Sequence, residues 1–233
     1  MKEERFPNEF VTWNHKTPVG VKVQEVFGMD SKKGRTWIEL ARQIYCEEDA
    51  DYKIIGHFPN GAPFIDGASY RISITHTKDF FAVASLPKTP EVNLEVFNTR
   101  SALGIDAEPL DRKQVIKVRT KFLSQEELAL IPEEDVIANI LAWTAKEALF
   151  KAALSKKINF KTDILIHSLQ SLHEENSESY NLGKAVVRFP ETSMIEPHEF
   201  LLYSYSSYGC CVTIAFSPKC AKYSKNNQLI LNL

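Results

Sequence analysis

Residues 73–86 read SITHTKDFFAVASL, and residues 204–217 read SYSSYGCCVTIAFS. Both stretches run from a strand end through a polar turn into a continuous apolar run, the pattern of a buried strand. Each follows, at some distance, a segment with helical spacing. Before the first lie Trp37, Leu40, Ala41, Ile44 and Tyr45, within 36–47; before the second lies the longest helical pattern, residues 135–154. Self-similarity of this kind predicts an α+β fold of two similar halves packed together, each an antiparallel sheet on a long helix.

Working outward, SYRISI (69–74) and EVNLEVF (91–97) alternate as strands do, and FFAVASL (80–86) reads as a buried strand. NGAP (60–63) is a turn. In FLSQEELALI (122–131), Ser124 and Glu127 have the spacing of a capping box, and Pro132 ends that helix. Four further strands are expected at 161–167, 183–190, 199–206 and 210–216. No linker or low-complexity stretch divides the chain.

The 233 residues carry a net charge of −2, with 44% apolar and 25% charged residues. That is an ordinary globular composition with no global field to attract nucleic acid or anionic lipid, so any anion site is local. The start of the sequence has no apolar stretch of the signal-peptide kind, and no run approaches the ~20 apolar residues of a membrane span. Cys46, Cys210, Cys211 and Cys220 lack zinc-type spacing and read as reduced structural thiols. The expected setting is the cytoplasm.

Three pieces carry chemistry. In GIDAE (104–108), Asp106 and Glu108 share one strand face, with Ala102 and Gly104 leaving room beside them. Adjacent ionised carboxylates repel unless a cation joins them, and hard oxygen ligands suit Mg²⁺; a solvated strand edge is the plain alternative. In LAWTAKEALFKAAL (141–154), Glu147 and Lys151 share a helix face at the margin of an apolar stripe made by Ile137, Ile140, Leu141, Ala145, Ala148, Leu149 and Ala152. Lys146 points well away from Lys151. Here the choice is between a surface ion pair, worth about 0.3–0.5 kcal/mol, and part of a site. In ITHT (74–77), Thr75 and His76 end a strand, as turn residues or as an anion site.

Taken in order, GAPF, SITHT, GIDAE, FLSQEE and WTAKEALFKA resemble the 4′-phosphopantetheinyl transferases, in particular the larger, Sfp-type monomers. Gly104, Asp106 and Glu108 match one family motif; Trp143, Thr144, Lys146, Glu147, Ala148 and Lys151 match another. The resemblance covers about residues 56–155. Departures are Thr75 for the usual serine, Ser73 for an asparagine, Ala107 for Ile or Val, and a long connection over 87–101.

The resemblance implies a pseudo-dimer with coenzyme A between residues 1–101, the 3′-phosphate side, and residues 102–233, which carry the metal and catalytic motifs. It implies Mg²⁺-dependent transfer of 4′-phosphopantetheine from coenzyme A to a serine of an apo acyl, polyketide or peptidyl carrier protein, releasing adenosine 3′,5′-bisphosphate. Mn²⁺ is an alternative ion. Asp106, Glu108 and Glu147 would hold the metal, with Glu147 and Lys151 catalytic. Thr75, His76, Lys146, Lys151 and Arg112 would bind coenzyme A, with Lys32, Lys33 and Arg35 as further basic candidates. A monomer is expected, with no nucleic-acid or membrane partner. The alternative is a carrier-protein or coenzyme A binding module without catalysis on the same fold.

Overall fold

In the computed structural model, the described residues are 11–16, 21–27, 55–58, 61–65, 70–87, 102–155, 157–172, 180–189 and 197–217. The helix expected over 36–47, the strand over 91–97, most of the 87–101 connection, the basic candidates Lys32, Lys33 and Arg35, and Cys46 and Cys220 lie outside them.

Two antiparallel sheets organise the described chain. The first has four strands in the order β1 (Val11–Lys16), β2 (Lys22–Phe27), β6 (Phe80–Pro87) and β5 (Tyr70–His76). A small hairpin, β3 (Ile55–His57) with β4 (Pro63–Ile65), precedes β5. The second sheet has five strands in the order β7 (Leu103–Pro109), β11 (Cys210–Phe216), β10 (His198–Ser207), β9 (Tyr180–Val187) and β8 (Ile164–Leu172). Between β7 and β8 the chain forms three helices: α1 (Gln114–Phe122), α2 (Gln125–Leu130) and α3 (Val136–Ala153). This is a mixed α and β architecture with antiparallel sheets and few helices. The two stretches quoted first are both antiparallel hairpins, β5–β6 and β10–β11.

The five-stranded sheet is covered on both faces. On one, Leu103, Ile105 and Ala107 of β7 share a core with Val21, Val23, Phe80, Ala82 and Ala84 of the first sheet's side. On the other, Ala102 of the chain entering β7, Ala215 of β11 and Phe200 and Leu202 of β10 pack with Ala145, Ala148, Leu149 and Ala152 of α3. Burial on both faces explains why all seven residues of β11 are buried and six of them are apolar. Contact of α3 with β7 is very close. A Cβ built on Gly104 would lie 1.9 Å from the Ala148 carbonyl oxygen, so only a glycine lets the helix backbone sit on this strand.

The edges of the two sheets meet through side chains. The backbone N–H groups of Ile105 and Ala107, on the free edge of β7, donate to Ser73 Oγ and Thr75 Oγ1 of β5, each at 3.0 Å. Hydroxyls thus satisfy donors that a further strand would otherwise have taken. A second link is Glu25 of β2, fully buried, which accepts from the Tyr205 hydroxyl at 2.5 Å and from Ser207 Oγ at 2.6 Å.

Asp135 caps α3 through the Ala138 N–H, and Ala-rich composition favours the helix. Unlike a surface helix with one apolar stripe, α3 is buried on most of its circumference, including Asn139, Thr144 and Lys146. Ile137, expected on the buried stripe, is instead 50% exposed in the first turn. The capping box of α2 forms as its sequence predicts: Ser124 Oγ accepts from the Glu127 N–H, and Glu127 Oε2 accepts from the Ser124 N–H at 2.7 Å.

Candidate active site

The alternation of β7 turns Asp106 and Glu108 onto the face covered by α3, and that helix brings Glu147 and Lys151 beside them. Asp106 is buried. Its Oδ1 accepts from Lys151 Nζ at 2.7 Å and, at a longer 3.4 Å, from the Thr75 hydroxyl. Lys151 Nζ also donates to the Ile105 carbonyl at 2.9 Å. Asp106 Oδ2 is buried without a hydrogen-bond partner. Glu108 shows the same one-sided arrangement: the Trp143 indole N–H (3.1 Å) and the Arg112 guanidinium both donate to Oε1. The indole is held between Phe122, edge-on at 4.9 Å, and Phe160 at 6.0 Å.

Glu147 is half-buried, and its pKa is pushed up to about 7. Burial is the largest cause and the Asp106 charge the next; Lys151 pulls the other way, Glu108 pushes up again, and Arg112 lowers it. Asp106 is likewise raised, first by burial, with the Lys151 charge opposing. His76, exposed at the end of β5, has its pKa lowered, first by what burial it has and then by Lys151; a backbone bond at Thr77 and the Asp106 charge lift it back. An anion arriving beside this imidazole would favour its charged form.

These placements unite Asp106, Glu108, Glu147, Lys151, Thr75, His76 and Arg112 around one end of β7. Lys146 is not among them, which corrects its expected place at coenzyme A. Its ammonium is fully buried elsewhere, 2.6 Å from Glu127 Oε2 and 2.8 Å from the carbonyls of Phe160 and Ile164. All three of its donors are used, so none remains for a phosphate. Thr75 is near the site but turned inward: its proton goes to Asp106 and it accepts from the Ala107 N–H, so its proton too is committed. Sequence reasoning gave Trp143 a motif but no task; the signal was that a buried indole N–H needs an acceptor.

Among the described residues, no three carboxylate, imidazole or thiol side chains converge into a ready-made metal cage. The fit to Mg²⁺ is looser. Asp106 Oδ2 is a buried carboxylate oxygen without a donor, Glu108 and Glu147 stand near it, and Mg²⁺ uses one or two carboxylates and fills the rest of its octahedron with water and phosphate. The donor set therefore suits a hard divalent cation.

Residues 102–207 match the model of the 4′-phosphopantetheinyl transferase superfamily, so this part of the chain is a 4′-phosphopantetheinyl transferase superfamily domain. The match contains β7, all three helices and the strands through β10. No curated protein matches the chain. Among the described residues, no helix is long and apolar enough to cross a membrane.

Proposed function

We propose that the protein transfers 4′-phosphopantetheine from coenzyme A to a serine hydroxyl of an apo carrier protein. The observation that carries this reading is that, inside the matched segment, Asp106 with its unpartnered buried oxygen stands beside Glu108, Glu147 and Lys151. In this reading Asp106, Glu108 and Glu147 hold Mg²⁺, with coenzyme A in a cleft between halves 1–101 and 102–233. The two similar hairpins and the hydroxyl seam between the sheets support that arrangement. The protein would act as a cytoplasmic monomer of the larger, pseudo-dimeric kind.

When bound, Mg²⁺ supplies charge neutralisation on the pyrophosphate under attack and on the leaving group. The chain's own residues do the rest. The carrier serine Oγ forms a bond to the phosphorus that bears the pantetheine, and the P–O bond to the adenosine 5′-phosphate breaks, releasing adenosine 3′,5′-bisphosphate. Glu147 takes the serine proton, directly or through water. Lys151 uses two donors on Ile105 and Asp106, and in this reading the third N–H goes to a phosphate oxygen. His76 holds the 3′-phosphate as imidazolium. Arg112 serves the nucleotide or carrier from its place on Glu108.

The test is direct. Apo carriers of the acyl, polyketide and peptidyl kinds are incubated with the protein, coenzyme A and Mg²⁺, then weighed. Gain of the phosphopantetheine mass is expected. Carriers that stay unmodified here, yet are modified by a known transferase, would leave a binding module in place of an enzyme.

A further inference from the structure

The hydroxyl of Thr75 does two things at once. It accepts from the Ala107 N–H at 3.0 Å, and its proton faces Asp106 Oδ1 at 3.4 Å. Lys151 donates to that same oxygen at 2.7 Å. Two donors on Oδ1, from opposite elements, fix the rotation of the carboxylate and leave Oδ2 as the oxygen without a protein partner. Ser73, one strand period earlier on β5, makes the equivalent seam bond to the Ile105 N–H and no bond to a carboxylate. The two hydroxyls therefore share a structural role, and Thr75 alone has a second one.

We infer that Thr75 is a positioning residue for Asp106: from the other sheet, it sets which oxygen of that carboxylate is presented to the metal, and it does not bind the 3′-phosphate. A hydroxyl has a single proton, and here it is spent on Asp106. At 3.4 Å the bond is long, so the effect is one of orientation and is modest. This inference rests on the metal reading given above.

Mn²⁺ titrated into the full-length protein, followed by the EPR signal of the free ion, reads the effect without turnover. Thr75→Val keeps the shape and removes the hydroxyl; it should weaken Mn²⁺ binding by about 3- to 10-fold, the scale of one net hydrogen bond. Thr75→Ser should bind as wild type does. Ser73→Ala removes the neighbouring seam bond only, and should stay within about twofold of wild type, since it touches no carboxylate. Thr75→Ala stands in if the valine variant does not fold. The preference for coenzyme A over dephospho-coenzyme A should be unchanged in Thr75→Val, while His76→Ala narrows it.

Wild-type Mn²⁺ affinity in Thr75→Val overturns the inference. So does a Ser73→Ala loss as large as that of Thr75→Val, which would make the seam itself the cause. A narrowed donor preference in Thr75→Val with unchanged Mn²⁺ affinity would return Thr75 to the phosphate. If the wild type binds no Mn²⁺ at all, the metal reading fails first and takes this inference with it.

Discussion

Lys146 Nζ lies 2.6 Å from Glu127 Oε2, with 0% and 5% of the two side chains exposed. The pair joins the capping box of α2 to the middle of α3. Glu127 also accepts from the Ile166 N–H at 2.9 Å on β8, so one carboxylate ties three elements together. Burial lowers the Lys146 pKa, and the Glu127 carboxylate works against that.

Lys146→Met should therefore cost stability. Breaking a buried pair leaves a stranded charge and typically costs about 3–5 kcal/mol. Urea denaturation measures it. Protein that remains folded should bind coenzyme A normally. A loss below about 1 kcal/mol, or a raised KM for coenzyme A at full stability, would contradict this placement.

Lys151 and Glu147 should instead be felt in the rate. Glu147→Gln should lose at least about 10²-fold in kcat, because it gives up proton transfer and negative charge together. Lys151→Met should lose less in rate, and it should also lose stability, because it takes the cation away from the buried Asp106 carboxylate. The double variant should be little worse than Glu147→Gln, as expected of residues serving one transition state. Near-normal turnover by both single variants would move the site elsewhere.

The raised pKa of Glu147 has a signature in stability. Its folded value is about 7 against an ordinary 4.5, so folding favours the protonated carboxyl. Its contribution is complete below about pH 4.5 and is lost as pH rises through about 7. Glutamine cannot ionise. With divalent ions chelated, the melting temperature of Glu147→Gln should gain on wild type between pH 5 and pH 8. An equal difference at the two pH values would show that Glu147 does not titrate in this window.

Gly104→Ala should be severely destabilising, by at least the 1–3 kcal/mol typical of overpacking. The new methyl meets the Ala148 carbonyl oxygen and the Ala152 nitrogen, at 1.9 and 2.7 Å, and both are backbone atoms of a buried helix. Denaturation midpoint and soluble yield report it. A fully stable variant would mean that α3 moves off β7 at little cost.

What the sequence discloses is what is local. Ser124 and Glu127 announce their capping box because both partners lie within one turn, and Asp106 and Glu108 share a face because a strand allows nothing else. Helix geometry places Lys146 away from Lys151 but cannot say that Glu127 waits on that side. Nor does the sequence show what the Thr75 hydroxyl meets, since its acceptor Asp106 and its donor Ala107 belong to another sheet. Helix α1 is hard to read in the sequence because Val115, Ile116 and Val118 are β-branched and carry a strand's propensity, although Val115 and Phe122 fall on one buried face. Strand β2 is hidden because Glu25 interrupts its apolar face, and the hydroxyls that donate to Glu25 come 180 and 182 residues later.

Glu25 also fastens together parts of the sequence that are far apart in order. Its fully buried carboxylate accepts from Tyr205 and Ser207 across 180 and 182 residues. Removing either hydroxyl takes a donor from a carboxylate that water does not reach, so Tyr205→Phe is felt on β2, in the other sheet.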